Sequence, residues 1–125
     1  MISQLDHLVI TCRSIEESLD FYTRILGMEA INFNSNRWAL LFGNQKINIH
    51  EYGKEFEPKA HLPVPGALDL CFIVNKSIPE ILLHLEEQNV PVLEGPVNRT
   101  GAIGKILSVY IRDPDLNLIE LAVYE

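Results

Sequence analysis

The sequence predicts an α+β fold of two tandem βαβββ modules, whose strands form a curved mixed sheet around a cavity. Three observations support this. Two capping boxes, Ser14-Ile15-Glu16-Glu17 and Ser77-Ile78-Pro79-Glu80, each follow a short apolar run and open a stretch of helical periodicity. Each helical stretch is followed by three further short runs of strand character. Laid over each other, the halves match His7 with Asp69, Ser14 with Ser77, and Ile47-Asn48-Ile49 with Ile119-Glu120-Leu121.

In chain order, Leu5 to Thr11 reads as the first strand. The helix that Ser14 opens carries Ile15, Leu19, Tyr22 and Leu26 at helical spacing, and Gly27 stands where a left-handed cap ends it. Strands over Glu29 to Asn34, Arg37 to Phe42 and Lys46 to Tyr52 follow, with Asn34-Ser35-Asn36 and Gly43-Asn44-Gln45 as turns. Residues 54–66 carry three prolines and mixed charge, and form an ordered linker between modules at about 3–53 and 67–125 of one domain spanning 1–125. The second module repeats the plan. Leu68 to Val74 is a strand, and Ile78, Leu82 and Leu85 form the apolar stripe of the second helix. A short strand at Pro91 to Leu93, a Gly-rich loop from Gly95 to Gly104, and strands Ile106 to Arg112 and Asn117 to Tyr124 complete it. Asp113-Pro114-Asp115 is the turn into the last strand.

Composition limits the function classes. With 125 residues, 47% hydrophobic and 22% charged, the chain suits one compact domain with a real core. A net charge of −7 without a basic patch argues against a nucleic-acid partner. Cys12 and Cys71 have no CxxC or zinc-ribbon spacing and are expected to pack. No basic leader followed by an apolar core opens the sequence, and no apolar run is long enough to span a bilayer, so a cytoplasmic protein without membrane contact is expected.

Strand parity sorts the side chains into two faces. His7 lies with Val9 and Thr11, Asn48 with His50, Asp69 with Cys71 and Ile73, and Glu120 with Leu118, Ala122 and Tyr124. Aliphatic residues alternate with them and belong under the helices. Glu120 amid an apolar strand needs a partner, because burying a lone carboxylate is costly. Arg37, Arg99 and Lys105 are cations near this side, suited to a substrate carboxylate or phosphate or to solvent.

Asp6-His7 at the first strand, Ser14 to Leu26 with its Phe21-Tyr22 pair and following Gly27-Met28, and Arg112 to Asp115 leading to Asn117-Leu118-Ile119-Glu120 carry a family resemblance. Over its whole length the chain resembles the vicinal oxygen chelate superfamily of glyoxalase I, fosfomycin and bleomycin resistance proteins and extradiol dioxygenases. Asn48 to Glu51, Glu55 to Ala60 and Gly95 to Ala102 more narrowly resemble a subgroup close to glyoxalase domain-containing protein 5.

The resemblance implies a glyoxalase-like fold, a homodimer and one divalent metal ion, with His7 and Glu120 at ligand positions and Asp69 where many relatives have histidine. Zinc, nickel, manganese and iron are not distinguished by these ligands. By the repeat the fourth ligand position belongs to Asn48, whereas the better ligand, His50, lies roughly 7 Å further along the strand. His50 is expected either as that fourth ligand, which is favoured, or as a group that handles substrate. The implied activity is Lewis-acid chemistry on a small substrate with adjacent oxygens, with Glu120 or His50 moving a proton and a thiol cosubstrate compatible. The alternative is a non-catalytic small-molecule-binding resistance protein. Against it, Trp38, Phe42 and Tyr110 form no evident stacking pair.

Overall fold

Ser14 and Ser77 begin the two helices as their sequence contexts require. Their hydroxyls accept from the backbone N–H of Glu17 at 3.2 Å and of Glu80 at 3.3 Å, satisfying a donor that the first helical turn leaves free. The computed structural model describes all residues from Met1 to Glu125. Its order is β1 (His7–Cys12), α1 (Ile15–Asp20), β2 (Glu29–Phe33), β3 (Arg37–Phe42), β4 (Gln45–Glu51), β5 (Asp69–Ile73), α2 (Ile78–Glu87), β6 (Glu94–Thr100), β7 (Lys105–Arg112) and β8 (Leu118–Tyr124). The chain divides into two compact units, Met1–Ala67 and Leu68–Glu125. No helix is long and apolar enough to cross a membrane.

Each unit carries its own four-stranded mixed sheet, rather than one continuous sheet running through both. The orders are β1-β4-β3-β2 and β5-β8-β7-β6, so the two halves repeat strand for strand. β1 runs parallel to β4, and β5 parallel to β8; the remaining pairs are antiparallel. The α+β class and the βαβββ plan are therefore those read from the sequence.

The core of each unit lies on the helix side of its sheet. Ile10, Ile47, Ile49 and Leu40 in the first unit, and Val109, Ile111, Ile119 and Leu121 in the second, are all but inaccessible. The helices bury a stripe displaced from the expected one. Ser18, Phe21, Tyr22 and Ile25 are buried where Ile15, Leu19 and Leu26 were expected to join Tyr22, and Ile81 replaces Leu82. The cause in the first helix is a wide π turn over Phe21–Ile25 that continues α1. It lets the adjacent Phe21 and Tyr22 both enter the core, their rings edge to face at 5.2 Å. Gly27, at φ +75°, ends the run as expected, with its N–H on the Thr23 carbonyl at 3.0 Å.

The second departure is the expected Gly-rich loop. Most of it is β6, while Pro91 to Leu93 lie outside any strand. Gly95, at φ +112°, sits in a register irregularity between Glu94 and Val97, and a side chain there would come 2.5 Å from the Ser108 carbonyl oxygen. Because β6 is the edge of its sheet, Pro96 removes no required ladder bond, and the Gly-Pro pair becomes a bulge instead of a break. The loop shrinks to residues 101–104.

The turn before β8 fixes that strand to β5. The buried Asp113 carboxylate accepts from the backbone N–H groups of Asp115 and Asn117, both at 2.9 Å, and from Asn117 Nδ2 at 2.8 Å. Asn117 Oδ1 in turn accepts from the Leu68 N–H at 2.8 Å, just ahead of β5. This clamp sets the β5–β8 register that positions Glu120.

Candidate functional site

In the first unit, the face opposite α1 gathers polar residues. The β1–β4 ladder pairs His7 with Lys46, Val9 with Asn48 and Thr11 with His50. His7 Nδ1 is engaged by Asp6 Oδ2 at 2.8 Å, which orients the ring and leaves Nε2 free. Such a carboxylate behind a histidine is the arrangement that fixes ligand histidines in metal sites. Asn48 is two residues along from the partner of His7, and its side-chain oxygen is buried without a hydrogen-bond partner. His50 is two residues further again, roughly 13 Å along the strands from His7. The ladder therefore sets Asn48 nearer to His7 along the strands than His50 is. The neighbours of His50 are Phe56, edge to face at 5.4 Å, Arg37 and Glu55. Burial, with the Arg37 charge beside it, holds the His50 imidazole below its ordinary range.

In the second unit the ladder is the repeat of the first. Asp69 pairs with Leu118 and Cys71 with Glu120, so Asp69 and Glu120 stand on the same diagonal as His7 and Asn48. Asp69 is exposed. Glu120 has the partner that its apolar strand calls for: the Ser108 hydroxyl donates to Oε2 at 2.5 Å, and the Cys71 thiol lies against it. Burial, then the Glu120 and Asp69 carboxylates, push the Cys71 thiol up to about 11. Cys71 is thus an exposed member of this face and not a packing residue; only Cys12 is buried as expected.

Tyr110 stands directly across from Glu120 on β7, and its hydroxyl accepts from Arg99 Nε at 3.0 Å. Arg99 also reaches Glu94 at 3.3 Å and the Asn98 carbonyl at 3.0 Å, which makes it a strut of this face. Burial raises the Tyr110 hydroxyl above its usual range while the Arg99 bond opposes it.

No group of three or more His, Cys, Asp or Glu side chains converges as a metal ion requires. The strand parity and the repeat diagonal were legible in the sequence, and so was Cys71 on the Asp69 face. Phe56 was not: it comes from the linker, where no periodicity assigns a side chain to a face. Lys105, at the start of β7, is an exposed surface cation.

The family described as Glyoxalase/Bleomycin resistance protein/Dioxygenase superfamily matches residues 4–121. Glyoxalase domain-containing protein RDO1 of Mycosarcoma maydis is 57% identical over 124 residues, covering 99% of this chain and 70% of that protein. Virulence protein STM3117 of Salmonella typhimurium is 49% identical over 124 residues, covering 99% of this chain and 86% of that protein. Its crystal structure matches with a TM-score of 0.98 over 100% of this chain and 99% of that one. The integron cassette protein VCH_CASS1 from the mobile metagenome of V. cholerae is 51% identical, with a TM-score of 0.97 over 100% of this chain and 98% of that one.

Proposed function

The chain belongs to the glyoxalase/bleomycin resistance protein/dioxygenase superfamily, and from that membership we propose that it is a metal-dependent enzyme of the glyoxalase type. Its substrate is a small molecule with adjacent oxygens, and its reaction a lyase or isomerase step of the lactoylglutathione lyase kind, or a thiol transfer. Within the superfamily we assign it to the subgroup close to glyoxalase domain-containing protein 5.

The cofactor of this reading is one divalent ion, which His7, Asp69 and Glu120 would hold. When bound, it supplies Lewis acidity toward the substrate oxygens. The observation that carries this reading is the repeated diagonal, His7 with Asn48 and Asp69 with Glu120. The donors are of the types such an ion takes, although no three of them are gathered in this structure. Asp6 leaves His7 Nε2 available, and the unpartnered, buried Asn48 oxygen is an acceptor that a cation satisfies. Asn48 is therefore the fourth donor we favour, and His50 becomes a group that handles substrate. Ser108 holds one Glu120 oxygen, so the other is available to move a proton. We further propose a homodimer, since Val9 and Ile73 expose apolar surface on the site-facing sides of β1 and β5.

The Phe56 ring against Arg37 also supports a second reading, a binding protein without turnover. Metal content separates the two. Protein purified without added metal is expected to carry about one divalent ion per chain, and Glu120→Gln to lower metal affinity about tenfold or more with unchanged circular dichroism. His50→Asn should keep its metal. Full turnover after exhaustive dialysis against EDTA would refute the enzyme mechanism proposed, and a chain that takes up no metal but binds small molecules would favour the second reading.

A further inference from the structure

We propose that Arg37, Phe56 and His50 form a subsite that recognises the carboxylate of a short, monoanionic substrate. The proposal rests on the reading above, in which this face of the first unit handles substrate, and it names the class of molecule handled.

Three separate parts of the sequence build the subsite. Arg37 opens β3 one step beyond the Trp38–Ile49 pair, alongside His50 of β4. The segment after β4 then returns and sets Phe56 against both. The guanidinium carbon stands 4.0 Å from the centre of the Phe56 ring, and the His50 ring meets the same ring edge to face at 72°. A guanidinium laid on an aromatic face keeps its edge of N–H donors for another partner, and the ring fixes its plane in advance.

That edge is uncommitted. Arg24 is engaged by Asp20, and Arg99 by Tyr110, Glu94 and Asn98, but Arg37 enters none of the ion pairs. A planar fork of donors matches the two oxygens of a carboxylate.

The surroundings select the charge of the ligand. Glu55, whose Oε1 accepts from the Gly53 N–H at 3.0 Å, lies close enough to His50 for each to feel the other's charge, and Lys59 acts on Glu55 in turn. A single guanidinium, with the Glu55 carboxylate near the His50 member of the subsite, suits a ligand of one negative charge better than a phosphate dianion. His50 and Asn48 share a face of β4, two residues or roughly 7 Å apart. A carboxylate at Arg37 therefore leaves room for a chain of two or three carbons whose vicinal oxygens lie toward Asn48.

The test uses the full-length, metal-free protein labelled with nitrogen-15, titrated with glycolate, glycolamide and inorganic phosphate. Glycolate is expected to shift the Arg37 Nε and His50 ring signals saturably, and glycolamide to leave them in place. Arg37→Met should weaken glycolate binding about tenfold or more, with Arg37→Lys between it and the parent because it keeps the charge but loses the fork. Glycolamide acting like glycolate, Arg37→Met binding like the parent, or phosphate binding more tightly than glycolate would each overturn the proposal. Loss of the metal reading would leave these shifts intact, and loss of the subsite would leave the metal content intact.

Discussion

Cys71 is the residue whose chemistry the fold changes most visibly. It lies directly across the ladder from Glu120 and beside Asp69, and burial together with those charges moves its thiol from 9.0 up to about 11. The thiol therefore stays protonated through neutral pH, and the thiolate appears only in strong alkali. At pH 8 its thiolate fraction is about 100-fold below that of an unperturbed cysteine, while the higher intrinsic nucleophilicity recovers about tenfold. Alkylation of metal-free protein by iodoacetamide, followed by mass spectrometry, should therefore be about tenfold slower at Cys71 than at a free cysteine. Glu120→Gln should accelerate it; an unchanged rate would remove Glu120 from the cause. Parity placed His7, Asp69 and Glu120 on their faces from sequence alone, because period 2 admits no ambiguity once a strand is located. Their partners were not legible. The bond from Ser108 to Glu120 depends on which strand lies beside which, and Phe56 reaches His50 through a segment without any period.

Among the elements, the turn between β7 and β8 shows local chemistry at its most readable. Asp113-Pro114-Asp115 announced a turn, and the carboxylate of Asp113 accepts the three bonds that make it. Replacing Asp113 by Ala leaves buried donors without an acceptor and should cost about 2–4 kcal/mol in urea denaturation. The same turn holds a strained residue. Leu116 has φ +69° with its side chain exposed, so Leu116→Gly or Leu116→Asn should stabilise the protein by about 1 kcal/mol, and a loss of stability on both would contradict the strain. β6 and the π turn of the first helix were illegible for a shared reason. Gly95 and Pro96 are breakers anywhere but at a sheet edge, and the adjacent Phe21 and Tyr22 exceed one α-helical stripe, so in both cases tertiary position overrides local propensity.

For the whole molecule, the decisive feature is the repeat of one strand order in two sheets. It was visible in sequence because capping boxes and ligand-type residues recur at matching places, although two separate sheets, not a continuous one, express it. The exposed Val9 and Ile73, on equivalent strands, lead to the expectation of a homodimer. Sedimentation equilibrium at micromolar concentration should give twice the chain mass, and a monodisperse monomer would contradict the pairing. In each sheet the strand that starts with His7 or Asp69 is also an end strand, held by one ladder, while the other three strands form a hairpin-linked meander. Peeling β1 or β5 away, like β2 or β6 at the opposite edges, therefore breaks fewer backbone bonds than opening a central strand, and the amides of such edge strands exchange with solvent through the smaller openings. Metal bound at His7, or at Asp69, would act as a clasp on the edge strand that carries the ligand, and its binding energy would appear as slowed hydrogen exchange along that strand while β2 and β6 exchange as before.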